Sequence, residues 1–502
     1  MDVLLIHPPV NLELKKPIQS SYYVGYGLLH IAACLVQNGY EVVVWNLGAY
    51  SKLDPRVLKA VFQKYDPISV GVELNWLGFS RGAIQIAKLL KEVKEEVPIV
   101  VGGTHASILA TEIVQNNPAI DIVLKGEAEK TFPTLVEKIE DGKTITDVAG
   151  LVSYEDGKLR DNPITNRDVY KDLDDIPPYS SKIIRNLSEG AAMKGMPLAS
   201  INTVRGPCHY NCPYCLGGMS ATIQGRQEFA QHSSNWIVNQ ISLLIDEGQN
   251  EFAFQDYLFL VGQQRLIELA QALRREKIPE RILGINMTGL PGLLKEQALE
   301  ELSRAGIYNI DYGVETGSHH ILQAMGRPST QTVVLDAMKT TVKKGIIPFT
   351  WWMNGFPDER AEDVEETIRF IHKTAMAGSI PRWITPLIVL PGTKLFHNAK
   401  DYGITLRLHT FEDFAVYSNL SENALAWYPE AISHTTRHMS HLDILRLNAK
   451  MKIETYKRRD IIVENFMKTH AKQILAYHPQ ISAEALEYDL KEVMGYVPKS
   501  FY

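Results

Sequence analysis

Two long stretches of this chain alternate strand-like and helix-like runs, and that rhythm limits what it can fold into. Up to about residue 140, "DVLLIHPP", "EVVVWNL", "PISVGVEL", "PIVVGGTHAS" and "IDIVLKG" read as strands. "YGLLHIAACLVQNG" and "RGAIQIAKLLKEV" read as helices between them. Short apolar strands joined through helices predict a parallel, doubly wound open sheet. A second series starts near residue 196, with "LASINTVRG", "NEFAFQDYLFL", "RILGINMTGL", "IYNIDYGVETGS", "IIPFTWWMNGFP" and "RWITPLIVLPGT" as strands. Its helices include "GQQRLIELAQALRRE" and "LKEQALEELSRAG", the latter closed by Gly306 as a C-cap. That series predicts a partial parallel barrel of (β/α)6 type. At 502 residues the chain is too long for one core. The expected class is α/β: a Rossmann-like domain over 1–140, a proline-punctuated acidic connector over 141–195, a barrel over 196–404, and a mostly helical C-terminal domain over 405–502.

Three of the four cysteines, Cys208, Cys212 and Cys215, fall within "RGPCHYNCPYCLGG", spaced C-x3-C-x2-C. The N-terminus "MDVLLIHPPV" lacks a basic leader and reads as a strand, and no apolar run has the length of a membrane span. The expected location is therefore cytoplasmic, where clustered thiols point to a metal or redox role and not to disulfides. Structural zinc wants four ligands. His209 adjoins Cys208 and is poorly placed to complete a site, and Cys34 in "LLHIAACLVQNGY" reads as a core residue. Three thiolates without a fourth suit a [4Fe-4S] cluster with one iron open to an exogenous ligand. Gly206, Pro207 and Pro213 shape the loop. A net charge of −6 gives no electrostatic footprint for nucleic acid or an acidic membrane.

With the aromatic Tyr214 before the last cysteine, this loop resembles the signature of radical S-adenosylmethionine (SAM) enzymes. The resemblance implies that Cys208, Cys212 and Cys215 ligate the cluster, that the open iron chelates SAM, and that Tyr214 packs against the adenine. "YGVETGSHHILQAMGRPST" resembles the family's fourth-strand block, which puts Gly313, Glu315 and Ser318 near SAM or a second cofactor. "NGFPDER" resembles its "GFPGET", with Asp358 in place of the glycine, and "VLPGTKLF" resembles its "PPGTxLY". Gln255 and Asp256 stand where the second strand offers polar contacts to SAM. The third strand offers Asn286 and Thr288 where an arginine is common.

Upstream, "IVVGGTHAS…DIVLKGEAEKTFPTLVEKIEDGK…PITNRDVYKDLDDIPPY" resembles the cobalamin-binding domain and connector of cobalamin-dependent radical SAM enzymes. Glycines at strand ends allow close backbone approach of a ligand. The resemblance implies cofactor contacts from Gly102, Gly103, Thr104, His105, Gly126 and Glu127. No D-x-H-x-x-G occurs, so cobalamin is expected without a histidine lower ligand, its lower face turned to Asn75, Trp76 or Leu77. No G-x-G-x-x-G opens a helix after the first strand, which weakens a nucleotide-binding reading.

The cofactors so implied are a [4Fe-4S] cluster, SAM and cobalamin, cycling through methylcobalamin. The implied activity is transfer of a SAM-derived methyl group to an unactivated carbon, or to phosphorus, of a small-molecule or peptide substrate. An external electron donor of flavodoxin or ferredoxin type is implied too. The same cofactors also serve cyclisation, rearrangement or oxidation without methyl transfer. A non-catalytic cobalamin carrier or sensor is disfavoured by the intact cysteine triad, and a zinc-organised structural protein by the missing fourth ligand.

Overall fold

The computed structural model describes residues 1–13, 24–50, 53–185, 199–256, 262–327, 329–420 and 427–494. It divides into two compact units, one of Met1–Pro207, Met219–Gln249 and Leu408–Ser421, the other of Cys208–Gly218, Asn250–Arg407 and Glu422–Tyr502.

The first unit is built on an eight-stranded sheet: β1 (Val3–His7), β2 (Val42–Asn46), β3 (Ser69–Glu73), β4 (Ile99–Gly102), β5 (Ile122–Leu124), β6 (Leu151–Glu155), β7 (Lys158–Asp161) and β8 (Ile184–Arg185). Their order is β7-β6-β5-β4-β3-β1-β2-β8. β1 to β5 are Val- and Ile-rich because a parallel sheet covered on both faces buries every side chain; all five residues of β1 are buried. Helices α1 (Tyr26–Gln37), α2 (Pro55–Phe62), α3 (Ser80–Lys91), α4 (Thr104–Ile108), α5 (Ala110–Asn116) and α6 (Thr131–Glu140) connect them. Proline at its first position and an Asp54 carboxylate accepting from the Arg56 amide start α2. Cys34 lies in the core with Leu173 and Ile176, as its apolar surroundings predict.

Strand β1 pairs in parallel with both β2 and β3, so the chain reverses direction across the sheet between β1 and β3. This is the switch point where open α/β sheets leave a crevice at their carboxyl ends. Residues 141–185, expected as a connector, add β6, β7 and β8 to the same sheet. β6 and β7 pair antiparallel, which covers the β5 edge. This unit also holds β9 (Ala199–Ile201), the antiparallel pair β10 (Val204–Arg205) and β11 (Ala230–Gln231), and helices α7 (Ser220–Gln224) and α8 (Ser234–Asp246).

In the second unit β12 (Glu251–Phe254), β13 (Gly284–Gly289), β14 (Ile307–Glu315), β15 (Ile347–Asn354) and β16 (Ile380–Pro386) are successive parallel neighbours. The predicted run "NEFAFQDYLFL" forms β12, and residues 257–261 lie outside the described ones. The strands alternate with α9 (Gln263–Arg275), α10 (Glu296–Arg304), α11 (His319–Ala324), α12 (Gln331–Lys343) and α13 (Ala361–Met376), followed by α14 (Lys394–His397).

The helical C-terminal region splits. Residues 408–421, with α15 (Phe411–Phe414), belong to the first unit. There the Phe411 amide donates to Glu112, and the Asn11 side chain donates to Asn419. Helices α16 (His441–Tyr456), α17 (Arg459–Tyr477) and α18 (Ala483–Val493) belong to the second. Ile462, Phe466, Ile474, Leu486 and Leu490 pack with Ile347, Phe349 and Ile380 near the amino ends of β15 and β16. The Gln480 amide also donates to carbonyls of Ile282 and Leu283, at the amino end of β13. The last helices therefore close the bottom of this sheet. Among the described residues no helix is long and apolar enough to cross a membrane.

Candidate functional site

The cysteine loop sits at the carboxyl ends of the second unit's strands. The Leu395 amide donates to the Pro213 carbonyl, and the Tyr214 ring meets Phe356 edge-on at 5.6 Å. The loop closes on itself through Cys208 N–H to Gly217 O at 3.0 Å and Cys215 N–H to Cys212 O at 3.1 Å. Asn211 takes φ +51°, and a Cβ at Gly218 would stand 2.3 Å from the Asn211 side-chain oxygen, so the tight return requires glycine there.

Each of the three sulfurs has donors aimed at it. The backbone amides of Tyr210 and Asn211 face Cys208, the Arg327 guanidinium faces Cys212, and the Gly217 amide lies 3.4 Å from Cys215 Sγ. Burial raises the Cys208 thiol and pushes Cys215 up to about 11. Donors without ready ionisation describe a site built for thiolates that a bound metal must generate. Among the described residues no group of three His, Cys, Asp or Glu side chains is arranged to hold a single metal ion. Three free thiols on one loop suit a multi-iron cluster, whose irons lie between the sulfurs. His209 is exposed and tilted against Tyr210 at 4.5 Å.

Behind the loop, Glu315 and Arg327 form a buried pair at 3.4 Å, and Arg327 also donates to the Gly313 carbonyl. A Cβ at Gly313 would stand 2.7 Å from the Glu315 carboxylate, so the glycine makes room for the pair. Glu315 holds φ +71° at the end of β14. Burial lifts its carboxyl above the ordinary range, and the Arg327 charge opposes that lift. Among the described residues Arg327 Nε is buried without a partner, leaving a donor for an acceptor brought in by a ligand. Ser318 is spent as the cap of α11 and donates to Asp363 at 2.6 Å. Gln255 is exposed, and Asp256 is buried with its carbonyl accepting from Thr288 at 3.0 Å. Asn286 donates to Asp311 at 2.9 Å, deeper along the sheet. The departure at Asp358 is resolved: it adopts φ +59°, the conformation glycine would favour, and its carboxylate pairs with Arg437 at 3.2 Å.

In the first unit the strand ends β1, β3, β4 and β5 carry the predicted loops. His7 Nδ1 and Glu73 Oε2 meet at 2.6 Å across the switch point. Gly103, at φ +115°, lies so close to Asn75 that a Cβ would stand 2.7 Å from its side-chain oxygen. The Thr104 amide donates to that oxygen at 3.1 Å. Asn75, Trp76, Gly102, Gly103, Thr104 and Gly126 are half-buried, whereas Leu77 is buried in the core. His105 turns inward: Nδ1 meets the Asn75 carbonyl, the ring stands edge-on to Trp76 at 5.3 Å, and burial lowers it to about 4. Strand ends bordered by glycines, with Nε2 of His105 buried and unpaired among the described residues, suit a large ligand laid over them.

Glu127, expected at the cofactor, is instead buried between two arginines. Arg226 binds both its oxygens at 2.7 Å, and Arg205 reaches Oε2 at 3.1 Å. Arg205 also bonds Glu129 at 2.7 Å and His30 at 2.8 Å. Arginine brings two parallel donors to a carboxylate, which a buried acid needs. Sequence reading missed Arg205, Arg226 and Arg327; Arg205 stands directly before Gly206-Pro207-Cys208, which is the only local signal among them.

Comparison with known proteins finds two families along the chain. A B12 binding domain family matches residues 21–136 and the radical SAM superfamily matches residues 204–371. An uncharacterised methyltransferase of Pyrococcus horikoshii is 26% identical over 471 residues, covering 94% of this chain and 95% of that protein. The anaerobic magnesium-protoporphyrin IX monomethyl ester cyclase of Rubrivivax gelatinosus is 23% identical, over 74% of this chain and 65% of that enzyme. Among solved structures, the radical SAM methyltransferase TsrM of Kitasatospora setae has the same fold, with a TM-score of 0.69, 16% identity, and 91% and 88% of the two chains covered. Because a B12-binding domain and a radical SAM domain occur together in one polypeptide, the chain belongs to the cobalamin-dependent radical SAM enzymes, which work with a [4Fe-4S] cluster, SAM and cobalamin.

Proposed function

We propose that this enzyme is a methyltransferase that moves a methyl group from SAM, by way of cobalamin, to an unactivated carbon or to phosphorus of a small-molecule or peptide substrate. The observation that carries the reading is the end-to-end similarity to the Pyrococcus horikoshii methyltransferase, across both domains and the C-terminal region. In this reading Cys208, Cys212 and Cys215 hold the cluster, and Tyr214, Glu315 and Arg327 form the wall beside it. Asn75, Trp76, Gly102, Gly103, Thr104 and Gly126 border the corrinoid. When bound, the cluster with SAM supplies a carbon-centred radical and the corrinoid supplies a transferable methyl group. The chain's own residues do the rest. N–H donors from Tyr210, Asn211, Gly217 and Arg327 steady the three thiolates. His105 keeps its ring buried, with Nδ1 on the Asn75 carbonyl. Reducing equivalents come from a flavodoxin or ferredoxin type of donor.

A second reading has one specific support, the similarity to the Rubrivivax gelatinosus cyclase: the same cofactors serving ring closure or oxidation without methyl transfer. Turnover of the true substrate with methyl-labelled SAM separates the two. Methyl transfer yields S-adenosylhomocysteine and 5′-deoxyadenosine in comparable amounts and puts the label in the product. Deoxyadenosine without either would replace the methyltransferase reading with the second one.

A further inference from the structure

The face of the second unit's sheet opposite its helices carries a cluster outside the cysteine loop. Along β15, Thr350 and Trp352 point to the helical side: Trp352 Nε1 donates to Thr350 Oγ1 at 3.0 Å and its ring packs on Phe370 of α13 at 5.9 Å. Alternation turns Trp351 to the opposite face. There it is 38% exposed, although β15 is flanked on both sides by β14 and β16. In a filled barrel such an inward aromatic is packed over by neighbouring layers. An exposed one marks open space over this face.

The groups around that space are ordered by one buried acid. Asp311 is 5% exposed and accepts from Asn286 at 2.9 Å, from Trp351 Nε1 at 3.2 Å, and from Arg382 Nη1 at 3.0 and 3.1 Å. With four contacts from three donors on its two oxygens it has little capacity left for a ligand, so it is a positioning residue. What it positions is an indole and a guanidinium. Arg382 stacks over Phe349 at 5.4 Å, on top of the core that closes the amino ends of the strands, and stands 5.8 Å from the Trp383 ring. Only its Nη1 is engaged; Nη2 and Nε have no hydrogen-bond partner among the described residues, and the side chain is 31% exposed. Trp351 and Trp383 meet at 76°, two walls of an aromatic corner. Asn309, two residues before Asp311 on the same face, has a buried amide nitrogen without a partner among the described residues.

Among the described residues the one charged group this cluster leaves partly unengaged is the Arg382 guanidinium, beside flat apolar walls; the Asn286 and Asn309 amides are neutral. A cation would meet the positive guanidinium, while an anionic acceptor meets its two unengaged nitrogens. We infer that this space is the substrate-recognition site and that it takes a carboxylate carried on a planar, ring-containing body, with Arg382 binding the carboxylate and Trp351 and Trp383 flanking the ring. The inference rests on the enzyme reading above and names its substrate class.

The test is ligand-observed saturation-transfer NMR on full-length protein reconstituted with cluster and cobalamin. The probes are a panel of indole and naphthalene carboxylates, each paired with its primary amide. At least one acid is expected to bind about tenfold more tightly than its amide, a difference typical of a charge-assisted bidentate contact. Arg382→Gln is expected to bring acid and amide together, and Trp351→Ala to weaken both. No acid preferred by the wild-type protein, or a preference that survives in a folded Arg382→Gln variant, overturns the inference. SAM cleavage is recorded on the same wild-type preparation. Cleavage without acid preference sinks this inference alone, and acid preference without cleavage leaves the site standing while sinking the enzymatic reading.

Discussion

Arg327 lies 3.4 Å from the Glu315 carboxylate and also faces the sulfur of Cys212, both contacts largely out of water. One guanidinium thus couples a cysteine of the loop to an acid at the end of β14. Removing it strands a buried carboxylate and leaves Cys212 without its side-chain donor. Arg327→Met is expected to lower 5′-deoxyadenosine formation about 10- to 100-fold, the range seen when the partner of a metal ligand is lost. Iron and acid-labile sulfide per chain should fall with it. Arg327→Lys keeps the charge without the planar fork and should fall between. A Met variant with wild-type iron and rate would remove Arg327 from the site.

The cysteines themselves give the sharper loss. With three protein ligands, Cys208→Ala, Cys212→Ala or Cys215→Ala each removes a third of the cluster's attachment. The triple variant is expected to lack cluster absorbance and form no deoxyadenosine, while still binding hydroxocobalamin. Deoxyadenosine at the wild-type rate in that variant would contradict the assignment of the loop.

The lower face of cobalamin makes a spectroscopic prediction. No D-x-H-x-x-G occurs, and the His105 ring is buried, edge-on to Trp76, with Nδ1 on the Asn75 carbonyl. Electron paramagnetic resonance of the cob(II)alamin state is expected to lack nitrogen hyperfine splitting from an imidazole, and His105→Ala should leave the spectrum unchanged. Clear splitting that disappears in His105→Ala would make His105 the lower ligand.

How much of this was legible in the sequence depends on how local each feature is. The cysteine loop was, because its spacing and turn residues lie within a dozen positions. The strand and helix series was, because burial on one or both faces leaves a periodic trace. Pairings across the fold were not. Arg327 is 112 positions beyond the Cys215 that closes the loop it supports, and nothing in "MGRPST" says which sulfur it will face. Glu127 looked like a cofactor contact because it follows a strand-end glycine; that Arg226, 99 positions on, would take both its oxygens is a fact of tertiary packing. Residues 408–421 carry ordinary capping signals, and their place in the first unit depends on partners such as Glu112 and Ser80 that no periodicity names. Asp358 is the reverse case: the sequence flagged a missing glycine, and an acidic residue with an arginine partner holds the same left-handed turn.

The arginine–glutamate cluster of the first unit predicts a stability effect. Glu127→Gln leaves Arg205 and Arg226 buried with half of their charge unmatched. Breaking one side of such a buried pair costs about 3–5 kcal/mol. Urea denaturation followed by fluorescence should show the first unit unfolding at a markedly lower midpoint. A midpoint unchanged within error would mean that Glu129, the other partner of Arg205, suffices to hold the cluster.

Stability should also depend on pH in a way set by Glu359 and buried histidines. Glu359 is fully buried; its Oε2 accepts from the amides of Gly355 and Phe356, its Oε1 has no partner, and burial lifts the carboxyl to about 8. A raised folded-state value means that the native protein holds a proton the unfolded chain has released. The stabilisation is full below the unfolded value and declines as pH rises from about 4.5 through about 8. His105, His434 and His478 are each lowered to about 4, chiefly by burial. There the unfolded chain takes up protons first, so stability falls as pH drops from 6.5 towards 4. Burial lowers His30 in the same direction, so the histidines outnumber Glu359 on the acid side, and Glu359 acts without them on the alkaline side. Thermal unfolding midpoints are therefore expected to rise to near pH 6.5 and to decline towards pH 8. Glu359→Gln keeps an oxygen for the two amides but cannot ionise, so it should flatten the alkaline limb and leave the acid limb in place. Parallel alkaline limbs for wild type and Glu359→Gln would show that Glu359 is ionised throughout.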